Sequence, residues 1–152
     1  MSAALSGPDI AKAFQDACLS ELDALKPGNV HRQADGHGME VADFEKSAVA
    51  AAPAIGAAGL SVGERIEAAA EATRRAVNVN TNLGIILLAA PLAQAAFTSS
   101  DVDFKHALQE VLASLTVEDA RAAYRAIRGA EPGGLGSAHE HDVATEPRVT
   151  LL

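Results

Sequence analysis

The sequence predicts an all-α fold, a compact multi-helix domain built around a buried central apolar helix. Apolar residues recur at steps of three and four along most of the 152-residue chain, which is the spacing of one face of an α-helix. No stretch of the sequence alternates β-branched and polar residues as a half-buried strand does. We therefore expect residues 1–152 to form a single helical domain.

The helix boundaries are predicted from capping residues and helix breakers. The first helix carries apolar residues from Ile10 to Leu25 and is expected to stop at Pro27-Gly28. The second is expected to begin at a capping Asp43. Ser61 and Glu64 have the spacing of a capping box, in which each side chain satisfies a free backbone amide of the first turn, and they predict the start of the third helix.

The apolar segment that opens at Leu83 predicts the central helix, buried on every side, and Pro91 is expected to kink or restart it. Two more helices are predicted over Asp103–Leu115 and from Thr116 onward, which makes six. Thr145-Glu146-Pro147 is a usual opening of a further helix, which has not built its second turn at Leu152. This unfinished helix predicts that the chain is a fragment of a larger helical protein, or that another element completes its core.

Composition and charge disfavour several classes of protein. Hydrophobic content of 49% with charged content of 21% is typical of a globular chain rather than a disordered one. The sequence has neither an apolar stretch of about 20 residues nor a secretory signal pattern, so a cytoplasmic location is expected. A net charge of −8 argues against nucleic acid as a partner. Cys18 lies on an apolar helical face and is interpreted as a core residue.

Polar residues interrupt the helical pattern at four places, each at a helix end or in a loop, where ligand-binding residues are common. The first is residues 26–39, KPGNVHRQADGHGM. Its basic groups and histidines can bind phosphate or move protons, although a solvated connector fits the composition equally well. Zinc binding by His31 and His37 is not favoured, because their spacing matches no usual zinc pattern.

The second interruption is Asn78, Asn80, Thr81 and Asn82, just before the apolar helix. Amide side chains suit ribose hydroxyls or a nucleobase edge, and a helix start favours an anion. The alternative is a plain helix cap, which needs only one such residue. The third interruption is Glu64-Arg65, where the stronger alternative is that the glutamate only completes its capping box.

The fourth interruption is a glycine loop that contains Gly133, Gly134 and Gly136. Glycines let backbone amides approach a phosphate closely, although this loop lacks the lysine and hydroxyl residue of a P-loop. The segment behind it, His139-Glu140-His141-Asp142, offers carboxylates to Mg²⁺, but a solvated acidic run is the favoured interpretation.

Five strings follow one another along the chain: KPGNVHRxADGHGM, DFExSA, GERI, NTNLGIILLAAPL, and PGGLG with a nearby DVA. Their order resembles the triphosphoribosyl-dephospho-CoA synthase family, and the likeness runs from about Glu21 to Leu152. The resemblance implies an all-helical enzyme that transfers the triphosphoribosyl group of ATP to 3′-dephospho-CoA and expels adenine. It also implies that this chain is the N-terminal portion of a longer family domain.

The sequence departs from the better known members in its first loop. Those members read nearer to KPGLVD followed by H-x-D-M, whereas this chain has KPGNVH and then His37-Gly38-Met39. A related ATP-dependent transfer in tetrahydromethanopterin-type cofactor synthesis is therefore the alternative reaction. A non-catalytic helical module that binds a nucleotide is the alternative from another class. A homodimer, or the rest of a longer chain, is the expected means of completing the core.

The implied reaction defines the roles that a site must fill. A ribose hydroxyl attacks the anomeric carbon of ATP, which requires a base, a proton or hydrogen-bond donor for adenine, and cations for the triphosphate. By resemblance the catalytic candidates are Asp35, His37 and Glu64. The candidates for nucleotide and phosphate binding are Lys26, Asn29, His31, Arg32, Arg65, Asn80, Thr81, Asn82, Gly133, Gly134 and Gly136. Mg²⁺ accompanies ATP and is assigned to Glu64 and Asp142. These residues are expected to converge on one pocket.

Overall fold

The computed structural model describes residues 5–24, 39–99 and 103–152, and its regular structure is all α-helical, as predicted. The described residues form α1 (Gly7–Asp23), α2 (Val41–Ile55), α3 (Val62–Val77), α4 (Leu83–Thr98), α5 (Phe104–Ala113) and α6 (Val117–Ala130). The most extensive contacts are those of α3 with α2 and with α6, while α1 packs on α2 and α5 packs on α4. These contacts place α3, rather than α4, at the centre of the fold.

Local capping explains where two of the helices begin. The Ser61 amide donates to Glu64 Oε2 at 2.8 Å and the Glu64 amide to Ser61 Oγ at 3.3 Å, which confirms the predicted capping box of α3. Thr116 and Asp119 form the same arrangement at the start of α6. The prediction that Asp43 is the capping residue of α2 is wrong. The helix begins one turn earlier, and Asp43 Oδ2 accepts a hydrogen bond from the Glu40 amide at 3.0 Å.

The prediction that α4 is buried on every side is wrong. Leu83, Ile86 and Ala90 are buried, but Leu88 is 72% exposed and Leu92 42% exposed within the part of the chain that the structure describes. Because almost every residue of α4 is apolar, its sequence gave no indication of which side its neighbours would leave open. Pro91 lies inside a continuous helix and does not restart it.

The helix predicted to open at Thr145-Glu146-Pro147 does not form. Residues 131–152 contain no helix, and the Thr145 hydroxyl donates backward to the Asp142 carbonyl at 2.9 Å instead of capping a following turn. The segment is instead held on α6. Tyr124 Oη donates to the His141 carbonyl at 3.0 Å, and Arg128 Nη1 donates to the Val143 carbonyl at 2.6 Å.

The buried core is built mainly from alanine and isoleucine side chains of α1 to α4, with contributions from α5 and α6, and partly buried leucines pack against it. Cys18 belongs to this core, as predicted, and its burial raises the pKa of the thiol to about 11. A protonated, enclosed thiol is a packing group rather than a nucleophile. Among the described helices, none combines the length and apolar character needed to cross a membrane.

Candidate functional site

A cavity of about 180 Å³ lies where the C-terminal ends of α3 and α6 meet the N-terminal end of α4. Its polar lining comes from Thr73, Arg74 and Asn78 near the end of α3, Asn80 and Asn82 before α4, and Glu131 after α6. We call it the asparagine cavity. It collects three of the four residues of the second polar interruption and adds a cation and a carboxylate to them.

Two of these asparagines have local structural roles. Asn78 caps α3 in the left-handed conformation, with φ of 55°, and its amide donates to the Arg74 carbonyl at 2.9 Å. Asn80 Oδ1 accepts from the Leu83 amide at 3.3 Å, at the start of α4. Thr81 does not line the cavity, since its hydroxyl donates to Ser47 Oγ of α2 at 2.5 Å.

Asn82 differs from its neighbours, because one of its polar atoms has no partner. The residue is 5% exposed, and its Oδ1 accepts from the Thr73 hydroxyl at 3.0 Å. Its Nδ2 is buried and finds no hydrogen-bond acceptor among the described residues. An unsatisfied buried donor costs about 1 to 3 kcal/mol, so an acceptor supplied by a bound molecule would be stabilising.

Glu64 lies at the opposite end of α3. Fourteen residues separate it from Asn78, which is about 21 Å along a helix axis. Its carboxylate closes the capping box, and it lines a different cavity, of about 590 Å³, together with Ser114 and Thr116. The expectation that Glu64 shares a pocket with Asn82 is therefore wrong, and the structure gives Glu64 a capping role.

Arg65 is fully buried and holds the fold together. Its guanidinium donates to the carbonyls of Ile55 at 2.5 Å and Ala57 at 2.8 Å, and to Gln94 Oε1 at 3.0 Å. It also lies 5.3 Å from the centroid of the Phe97 ring. Burial lowers the pKa of the guanidinium, which remains a cation at the C-terminal end of α2 and offsets the helix dipole there. The two terminal nitrogens of the guanidinium are engaged with protein oxygens, while Nε has no hydrogen-bond partner among the described residues.

The glycine loop after α6 is exposed, and its three glycines line none of the cavities described here. Behind it, the two oxygens of Asp142 accept from the amides of Ala144 at 2.8 Å and Ala138 at 2.7 Å, and these bonds lower the pKa of the carboxyl. The carboxylate thereby organises its own turn. The described residues bring together no group of three His, Cys, Asp or Glu side chains that could hold a metal ion.

Six of the predicted residues lie outside the described part of the chain: Lys26, Asn29, His31, Arg32, Asp35 and His37. Conversely, sequence reasoning missed Arg74 and Glu131, which line the asparagine cavity. Nothing in their immediate sequence sets them apart, because an arginine in the last turn of a helix and a residue just after a helix are both common. Only the packing of α3 against α6 brings them to Asn82.

No curated protein and no solved structure shows significant similarity to the chain. A family model does match it. The matched region is residues 8–152, which includes five of the six helices completely and all but the first residue of α1. The match also spans the asparagine cavity and both ends of α3. The chain therefore belongs to the CitG family, described as ATP:dephospho-CoA triphosphoribosyl transferase.

Proposed function

We propose that this protein transfers the 5-triphosphoribosyl group of ATP to a ribose hydroxyl of 3′-dephospho-CoA, with release of adenine. The observation that carries the proposal is the family match over residues 8–152. The asparagine cavity supports it, because amide side chains and an unsatisfied buried donor suit the hydrogen-bonding groups of a nucleoside.

The reaction exchanges one bond at the anomeric carbon for another. The acceptor hydroxyl oxygen forms a bond to C1′ of ATP while the bond from C1′ to adenine N9 breaks, and the bonding electrons leave with adenine. A base takes the hydroxyl proton, and adenine takes up a proton from an acid or from solvent. We propose Asp35 and His37 for the acid and base roles.

Phosphate binding is proposed for the basic groups of the same segment, Lys26, His31 and Arg32, with Asn29 beside them. The support is chemical. Cationic side chains and imidazole donors neutralise phosphate oxygens, and a chain of net charge −8 needs local basic clusters to hold substrates that carry phosphate groups.

Mg²⁺ enters this proposal as part of the substrate, bound to the triphosphate of ATP. The carboxylates of Glu64 and Asp142 are proposed as protein contacts of this Mg²⁺, and each also accepts hydrogen bonds from backbone amides, Glu64 through one oxygen and Asp142 through both. A magnesium ion bridging phosphate oxygens neutralises their charge and lets the acceptor, itself a phosphate compound, approach.

Incubation of the protein with MgATP and 3′-dephospho-CoA, followed by chromatographic measurement of free adenine, tests the proposal. We expect adenine release that depends on dephospho-CoA. Release that instead requires a pterin or an arylamine riboside would establish the alternative reaction in tetrahydromethanopterin-type synthesis. Absence of adenine from every mixture would leave a non-catalytic nucleotide-binding module and contradict the proposal.

A histidine pair supplies the matched control. His37→Ala removes a proposed acid or base and should lower adenine release at least about 100-fold. His106→Ala removes an exposed histidine of α5 whose Nε2 lies 3.4 Å from Glu110, and it should leave the rate within about twofold. Equal rates for the two variants would remove His37 from the mechanism.

A further inference from the structure

A second cavity adjoins the asparagine cavity and differs from it in charge. This groove of about 420 Å³ runs between α3 and α6 and shares Ala70, Arg74 and Gly129 with the asparagine cavity. Its charged lining is Arg74, Arg75, Arg125, Glu67 and Glu71. We call it the arginine groove. Three arginines against two glutamates leave one excess positive charge, in a chain whose net charge is −8.

The excess positive charge can be assigned to one residue. Arg125 forms a two-point ion pair with Glu67, at 2.6 and 2.7 Å, and Arg75 Nη1 lies 3.2 Å from Glu71 Oε2. Arg74 has no ion-pair partner among the described residues. It is the arginine that lines both cavities, so the unpaired cation stands at their junction.

The asparagine cavity itself favours a neutral group over an anion. The charges of Arg74 and Glu131 offset each other, and the negative C-terminal ends of α3 and α6 outweigh the positive N-terminal end of α4. Asn82 of the lining carries an unsatisfied buried donor, Nδ2, and Glu131 of the lining carries an acceptor, its carboxylate. A nucleobase or ribose, which carries both acceptors and donors, matches this pair of groups.

The volume of the asparagine cavity also limits which part of a ligand it can hold. A pocket for a complete drug-sized ligand measures roughly 300 to 1,000 Å³, so a cavity of about 180 Å³ holds only one part of a nucleotide. The remaining part must extend into the adjoining arginine groove, past Arg74.

We propose that the two cavities form one bipartite nucleotide site. The adenosine part occupies the asparagine cavity, where Asn82 Nδ2 donates to a ring nitrogen or ribose oxygen. The triphosphate lies in the arginine groove and binds Arg74. The identification of the nucleotide as ATP rests on the proposed function, whereas the division into a neutral end and a cationic end rests on the lining residues.

Calorimetric titration with three probes, MgATP, inorganic triphosphate and adenosine, separates the two ends. Arg74→Gln should weaken MgATP and triphosphate by about tenfold or more, equivalent to about 1.4 kcal/mol, and leave adenosine within about twofold. The matched control is Arg148→Gln, which removes an exposed arginine of the C-terminal segment that lines neither cavity. It should leave all three probes within about twofold.

Two alanine-to-leucine substitutions test the lining shared by the two cavities without changing any charge. Ala70 lines both cavities, so Ala70→Leu should weaken adenosine and MgATP by about tenfold or more. Ala76→Leu places the same side chain on an exposed position of α3 outside both cavities and should leave binding unchanged. Thermal unfolding of each variant confirms that folded protein is being titrated.

The outcomes separate this inference from the proposed function. If Arg74→Gln and Ala70→Leu both bind MgATP within about twofold of the parent, the bipartite site is overturned, even where adenine release persists. A parent protein that binds none of the three probes overturns it as well. If the probes respond as expected but no acceptor yields adenine, the bipartite site stands and the transferase proposal fails.

Discussion

At the N-terminal end of α3, the polar side chains of Ser61, Glu64 and Arg65 are all engaged with protein groups. The Arg65 guanidinium by itself donates hydrogen bonds both to a carbonyl of α2 and to the Gln94 side chain of α4. At the C-terminal end, Asn78, Asn80 and Asn82 surround a cavity, and one buried amide lacks an acceptor. Each end leaves one buried donor without a partner among the described residues, Arg65 Nε and Asn82 Nδ2, but of these two residues only Asn82 lines one of the cavities described here.

This difference separates residues that support architecture from residues available to a ligand. A polar group whose bonds are complete within the protein costs stability when it is removed. A polar group left incomplete beside a cavity costs stability until a ligand completes it. We therefore expect substitutions at the first end to change the free energy of unfolding, and substitutions at the second end to change binding.

The largest effect is expected at Arg65. Arg65→Ala leaves the carbonyls of Ile55, Ala57 and Leu60 without their donor and should lower the free energy of unfolding by about 3 to 5 kcal/mol, measured by urea denaturation. Arg75→Ala on the exposed face of the same helix should cost less than about 1 kcal/mol. A loss below about 1 kcal/mol at Arg65 would contradict its structural role.

Gly63 tests the close approach of α3 and α6. A Cβ added at Gly63 would lie 2.4 Å from the Asp119 Cα, so Gly63→Ala must push the two helices apart. We expect a loss of about 2 to 3 kcal/mol in thermal or urea unfolding. Gly84→Ala in α4, where the added Cβ meets nothing within 4 Å, should be neutral or stabilising by up to about 1 kcal/mol. Equal effects at the two glycines would refute the tight contact.

Asp119 accepts a hydrogen bond from Gly63 at the N-terminal end of α3, and its ionisation makes the stability of that region depend on pH. Burial alone would raise the pKa of its carboxyl, but hydrogen bonds from the Gly63 amide and from the Thr116 amide and hydroxyl outweigh burial and lower that pKa. A lowered folded-state pKa adds stability that is complete above the unfolded pKa of about 3.9 and is lost as the pH falls through the folded value.

Asp119→Asn should therefore cost about 2 kcal/mol at pH 7, and the difference from the parent should shrink below about pH 4. Urea denaturation at both pH values measures it. Asp16→Asn, on the exposed face of α1, is the control and should differ from the parent by less than about 0.5 kcal/mol at pH 7. A deficit at Asp119 that is independent of pH would show that the ionised carboxylate is not what stabilises the α3–α6 contact.

The smallest changes in stability give the sharpest contrast between the two ends. Ser61→Ala removes the N-cap of α3 and should cost about 1 kcal/mol without altering MgATP affinity. Asn78→Gly keeps the left-handed cap conformation and should change stability by less than about 0.5 kcal/mol. It removes an amide from the asparagine cavity, so MgATP affinity should fall about threefold to tenfold. If Ser61→Ala weakened MgATP binding and Asn78→Gly lowered only stability, ligand binding would belong to the N-terminal end of α3 instead.

The sequence predicted what depends on near neighbours along the chain. The predicted capping box at Ser61 and the predicted helix start at Thr116 require only residues three positions apart, and both formed. The role of Arg65 depends on carbonyls eight to ten residues earlier and on Gln94 in another helix, so the motif around it was interpreted as part of a ligand site. The open side of α4 depends equally on which helices pack around it.

The candidate site was predictable only in part. The asparagine cluster was recognisable because it holds more amide side chains than a helix cap needs. The other two residues named for this cavity, Arg74 and Glu131, could not be found from the sequence, because they come from the ends of two other helices. The unsatisfied Asn82 amide is equally a tertiary feature, since it depends on Thr73 occupying the other side-chain atom.

The most direct test of the account is a titration of the ¹⁵N-labelled protein with MgATP, followed by two-dimensional NMR with assigned amide signals. We predict that the largest shift changes in the described part of the chain cluster at residues 73–83 and 129–131, while residues 61–66 move little. Shift changes centred on residues 61–66 and 116–119, with the asparagine cavity unaffected, would contradict the claim that ligand binding belongs to the C-terminal end of α3.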